Sequence, residues 1–204
     1  MIKRLKVAQF LGALLAVAAT ASAATPSPNA MVAMITGSVT SQPIGHYEFC
    51  RTNPSECHAI KSSLAAPRIT EAGWKVVRDI NLAVNREITP VTDQELFGRD
   101  EVWAYPVNAG DCEDFVLAKR KILMQKGFPE SSLLITVVRK PDGEGHAVLT
   151  LRTASGDFVL DNLEDEVKPW YRTPYTYLKR QATFDSGRWV SIENGADVLV
   201  GALQ

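Results

Sequence analysis

The chain has 204 residues, with 22 Lys and Arg against 23 Asp and Glu, a formal net charge of −1 and three cysteines. That is enough chain for one domain with a sizeable core. The near-neutral balance, with no basic patch, argues against a nucleic-acid or anionic-membrane binder.

Residues 1–23 read as an export signal. Lys3, Arg4 and Lys6 form a positive start, and Val7 to Ala19 is an apolar core too short to span a bilayer comfortably. Ala21-Ser22-Ala23 fits a small-x-small cleavage site, with Ala24 the new N-terminus; the competing reading is an uncleaved anchor. Loss of the three basic residues takes the formal charge from −1 to −4. No later segment is apolar enough to cross a membrane. The mature chain is therefore expected in the periplasm or outside the cell, and not embedded in a membrane.

Residues 24–45 are rich in Ala, Pro, Ser, Thr and Met, and are expected to form a flexible N-terminal segment before a domain spanning 46–204. Cys50 and Cys57 follow, seven residues apart around Pro54. In an oxidising compartment they can pair, which leaves Cys112 as the free thiol; the alternative is that both stay reduced.

From Ile69 to Ile88 the apolar residues Trp74, Val77, Ile80, Val84 and Ile88 recur at steps of three or four. This predicts a helix with Thr70 as N-cap and Pro90 beyond its end. Residues 89–110 form a long connection, of a length often tied to function. A second helix is predicted from Asp111 to Lys126. Gly127 and Pro129 stop it, Phe115, Ala118, Ile122 and Leu123 lie on its apolar face, and Lys119, Arg120, Lys121 and Lys126 complement its dipole. The period then changes. Leu133–Arg139, Ala147–Arg152 and Phe158–Leu160 alternate or run apolar between Gly-containing turns, which predicts an antiparallel meander. The aromatic tail is expected to add strands that close the sheet. The fold class is α+β, helices first and an antiparallel sheet after.

Three residues stand where chemistry needs them. Cys112 opens the second helix, where the dipole and free backbone N–H groups favour a thiolate and can hold an oxyanion. His146 enters one strand, and Asp161 ends the next. In an antiparallel pair these two come within reach of each other. Thiol, base and orienter are the parts of a nucleophilic triad. Singly, each has a bland reading: a buried cysteine, a strand-end histidine, an aspartate in a turn. Asp111, Glu113 and Asp114 crowd the thiol and oppose its ionisation. Calcium held by Asp111, Glu113 and a loop carbonyl such as that of Asn108 would offset them. On spacing alone, helix capping by Asp111 with Asp114 three residues on is the favoured reading.

Gly110-Asp111-Cys112-Glu113-Asp114, Gly145-His146-Ala147-Val148 and Val159-Leu160-Asp161-Asn162 together resemble the bacterial transglutaminase-like cysteine proteinases, the group of LapG-like periplasmic proteases. The likeness covers roughly Ile69 to Trp189. It implies a papain/transglutaminase-like fold with Cys112 as nucleophile, His146 as base and Asp161 as orienter. It also implies calcium beside the nucleophile, with Asp111 and Glu113 as ligand candidates, and a protein or peptide substrate such as a surface adhesin. No organic cofactor is expected. The same triad serves an acyl transferase, and the same groove a non-catalytic, calcium-dependent peptide-binding module. The expected activity is an exported cysteine peptidase that hydrolyses envelope or surface proteins.

Overall fold

Thr70 starts the first long helix by accepting the Gly73 N–H on its hydroxyl at 3.1 Å. In the computed structural model, which describes residues 33–61 and 65–195, this helix is Glu71–Glu87 (α2). It follows a short helix, Ile44–Thr52 (α1). Val77, Ile80 and Val84 form its buried stripe as the periodicity predicts. Asn81 interrupts the stripe yet is fully buried.

The connection that follows is folded rather than loose. Thr89–Pro90 (β2) pairs in parallel with Ala109–Gly110 (β3), and a capping box between Thr92 and Glu95 starts the short helix Asp93–Phe97 (α3). The second predicted helix is Cys112–Gln125 (α4). It ends as its sequence predicts: Gly127 has φ 90°, Phe128 N–H bonds the Leu123 carbonyl and Gly127 N–H bonds that of Met124. One expectation for α4 is corrected. Lys119 and Arg120 do not lie on the surface beside the helix dipole; both are buried. Arg120 reaches Glu130 at 2.7 Å, Glu56 at 3.6 Å and the Leu133 carbonyl at 3.1 Å.

Seven strands form the main sheet, and all neighbours are antiparallel. The predicted meander is Leu133–Arg139 (β4), Gly145–Thr153 (β5) and Gly156–Leu160 (β6), and Lys168–Pro169 (β7) borders it. Thr176–Ala182 (β8) and Asp185–Ile192 (β9) extend the sheet on the other side of β4. Thr36–Thr40 (β1) completes the order β1-β9-β8-β4-β5-β6-β7. Strand β1 and the start of α1 thus lie inside the stretch expected to be flexible; residues 24–32 of that stretch, and the export signal, lie outside the described residues. Among the described residues no helix is long and apolar enough to cross a membrane.

The helices cover one sheet face. Val77, Leu117, Leu123, Leu133, Ile135, Leu149 and Leu151 close the core there. The other face is filled by Met34, Val138, Val148, Val159, Trp170 and Tyr177. Alternation along β5 sorts its residues between the two layers: Ala147, Leu149 and Leu151 face the helices, and Val148 faces away. Packing α4 across β4 and β5 is what sets its N-terminus against the start of β5.

Candidate active site

Cys112 is the first residue of α4. Its sulfur accepts the Ala147 N–H at 3.4 Å. That N–H is available because the β5–β6 ladder starts only at the Leu149–Leu160 pair. The start of β5, paired with β4 but not with β6, therefore faces the Cys112 sulfur. One residue earlier, His146 Nε2 lies 2.9 Å from Asp161 Oδ1, just past the end of β6. With Nε2 engaged, Nδ1 is the ring nitrogen left for a thiol proton. The structure thus brings all three expected residues to one place, from a helix start, a strand start and a strand end.

Asp161 is tightly held. Its Oδ1 also accepts the Leu163 N–H at 3.0 Å, and its Oδ2 the Tyr175 hydroxyl at 2.5 Å. Burial alone would push the carboxyl up. The His146 hydrogen bond and charge, with those from Leu163 and Tyr175, instead hold it below the usual carboxylate range. Asn85 fastens the segment from behind by donating to the Asp161 carbonyl at 2.9 Å, and Asn81 donates to the carbonyls of Glu164 and Asp165. Tyr175, Asn81 and Asn85 are site residues that sequence reasoning passes over. The buried Asn81 within an apolar stripe is the one signal that could have pointed to them. A cavity of about 230 Å³ adjoins Asp161 and Tyr175, with Leu163, Lys168 and Arg172 in its wall.

The acids around the thiol do not act as simple caps. Asp111 occupies the N-cap position but its side chain makes no capping bond, and its Oδ1 has no hydrogen-bond partner. Asp114 turns back to accept the Ala104 N–H at 2.8 Å and packs onto Gly110, where a Cβ would lie 2.7 Å from that of Asp114. Glu113 accepts the Cys112 thiol hydrogen at 3.0 Å. Burial and the adjacent Glu113 charge push the thiol well above its ordinary range, against the opposing pull of the Ala147 N–H.

A third carboxylate joins Asp111 and Glu113. Asp93, from the first turn of α3, presents an oxygen within 4.8 Å of theirs. It is 3% exposed; one oxygen accepts the Val102 N–H, and the other, Oδ1, has no partner. Burial raises the pKa of all three acids, and the charge of Glu113 adds to the rise at Asp111. Two buried carboxylates and a half-buried one, with two unmatched oxygens between them, make an all-oxygen donor set of the kind a hard divalent cation takes. The Asn108 carbonyl considered from sequence is engaged by the Thr89 N–H at 2.9 Å, and Asp93 stands in the cluster instead.

Away from this site, Cys50 and Cys57 are joined in a disulfide and Cys112 is the free cysteine. His46 is buried against Trp103 and Trp189, and burial first, then the Arg120 charge, lowers its pKa to about 3.

The fold is shared with LapG from Legionella pneumophila. Its calcium-bound structure matches with a TM-score of 0.50 at 23% identity, over 64% of this chain and 81% of that one. Its EGTA-treated structure matches with a TM-score of 0.49 at 24% identity, over 64% and 80%. No curated protein matches the chain at a significant level. The sequence model described as bacterial transglutaminase-like cysteine proteinase, BTLCP, matches residues 36–197, most of the chain. The chain belongs to the bacterial transglutaminase-like cysteine proteinases and is a cysteine peptidase.

Proposed function

We propose that the enzyme is an exported peptidase that hydrolyses peptide bonds of envelope or surface proteins through Cys112, His146 and Asp161, with calcium bound beside the nucleophile. The observation that carries this is the meeting of the Cys112 sulfur with the Ala147 N–H while the neighbouring His146 is bonded to Asp161. Cys112 attacks the scissile carbonyl. His146 takes the thiol proton at Nδ1 and later returns one to the leaving amine. Asp161, held by Tyr175 and Leu163, fixes the imidazole tautomer and stabilises the imidazolium. The Cys112 N–H, at the positive end of α4, helps hold the oxyanion.

Glu113 competes with His146 for the thiol hydrogen in this arrangement. A Glu113 carboxylate engaged elsewhere leaves that proton to the imidazole. Asp93, Asp111 and Glu113 are the residues that would hold calcium, and the unmatched buried oxygens of Asp93 and Asp111 support the fit. When bound, calcium supplies positive charge against these acids. The similar LapG from Legionella pneumophila is described as calcium-bound, which favours the same ion here.

The test is a comparison of envelope proteins treated with wild type and with Cys112→Ala, reading new N-termini by mass spectrometry. New termini made by the wild type only, with calcium and not after chelation, are expected. Termini that appear equally with Cys112→Ala would remove the peptidase assignment to Cys112. Products joined to an amine instead of hydrolysed would turn the reading to acyl transfer.

A further inference from the structure

The loop between α3 and β3 has two sides. One side serves the acids: Val102 N–H bonds Asp93, and Ala104 N–H bonds Asp114. Between these two donors stands Trp103, whose side chain points away from them into the core, at 7% exposure. Its indole packs edge-on against His46, with centroids 5.2 Å apart, and against Trp189 at 6.3 Å. It also lies so close to Gly45 that a Cβ there would collide with the ring. Its Nε1 has no hydrogen-bond partner, so ring packing alone holds it. Two residues on, Tyr105 packs edge-on against Phe49 at 5.8 Å. Gly45, His46 and Phe49 all belong to α1, and the Cys50–Cys57 disulfide closes the end of that helix.

We propose that Trp103 is a positioning residue for the calcium site: anchored on α1, it fixes the two flanking N–H groups that aim Asp93 at the cluster and hold Asp114 against Gly110. This rests on the calcium reading above. The physical reason is preorganisation. Three like-charged carboxylates repel one another, and a loose loop would let Asp93 swing out to water, so a cation would have to bear the cost of gathering them. A backbone donor on each side of a buried ring holds the carboxylates in place beforehand. Partners that orient ligands in this way typically account for about 10- to 100-fold in metal affinity.

Calcium titration of the EGTA-stripped full protein by calorimetry, paired with melting curves, tests the idea. Trp103→Leu removes the ring without leaving a bonded partner unpaired, and Gly45→Ala pushes from α1 on both the ring and the Glu101 carbonyl of the loop that the ring anchors, while improving helix propensity. Each folded variant is expected to bind calcium about tenfold or more weakly. Trp103→Phe, which keeps an aromatic anchor, should stay within about threefold of wild type by the same measure. Saturating calcium should restore the Cys112 alkylation rate of Gly45→Ala to that of wild type. A folded Trp103→Leu or Gly45→Ala that melts lower but binds calcium with wild-type affinity would overturn the inference, because a purely structural role moves stability alone. Should Trp103→Leu fail to fold, Gly45→Ala decides by itself. A wild-type protein that takes no calcium would instead overturn the calcium reading.

Discussion

Tyr175 donates its hydroxyl to Asp161 on the side away from His146. A hydrogen bond to a charged group contributes about 1.5–3 kcal/mol, and only part of it acts on the imidazole. Tyr175→Phe should therefore lower kcat/KM about tenfold on a verified peptide substrate, with KM little changed. Asp161→Asn should cost far more, on the order of 10³–10⁴ in kcat, since it favours the wrong tautomer. Steady-state kinetics on both variants checks this; equal losses would mean that Tyr175 does more than hold the carboxylate. Residue by residue, Cys112, His146 and Asp161 were legible because each sits at the end of an element with a clear period. Asp93 and Tyr175 were not. Asp93 lies 18 residues before Asp111 in the number line of the chain, and only the parallel pairing of β2 with β3 folds the connection back on itself. Tyr175 precedes β8, which joins the sheet on the far side of β4.

Helix α4 is the element on which the site depends, and both its start and its middle can be tested. Gly110→Ala would thrust a Cβ against Asp114 at the helix start. The cost should be about 1–3 kcal/mol by urea unfolding, as for overpacking elsewhere. In the middle, Lys119 is fully buried and its Nζ has no hydrogen-bond partner. Burial lowers its pKa to about 7 from 10.5, against the opposing charges of Asp161 and Asp165. The sign follows. Between those values the unfolded chain binds the proton that the native protein has shed, so stability rises with pH across pH 7 to 10.5. Lys119→Met should remove that rise and be at least as stable as wild type at pH 7 by calorimetry, because an apolar side chain of similar length needs no partner. A large loss of stability at pH 7 would show that the ammonium is matched by a bridging group.

At the scale of the whole molecule, α1, β9 and the loop before β3 converge on His46. Its neutral ring sits among Phe49, Trp103 and Trp189 and accepts the Trp189 indole N–H at 3.2 Å. With a native pKa near 3 against 6.5 unfolded, it contributes stability that is fully present above pH 6.5 and is lost as pH falls towards 3. Between pH 6.5 and 4 the loss should be about 3 kcal/mol, at 1.36 kcal/mol per pH unit. Urea unfolding across that window checks it, and a His46→Gln protein should show a shallower slope. The sequence alone determined the helices, the meander, the α+β class and the three residues of the candidate triad, since these depend on local periodicity, stop signals and residue type. It also pointed to the disulfide through cysteine spacing. Only the tertiary structure decided the strand order, the burial of Lys119 and Arg120, the third carboxylate and the anchoring of Trp103. Those depend on contacts between residues far apart in the chain, and hydrophobic periodicity records which face of an element is buried but not what it is buried against.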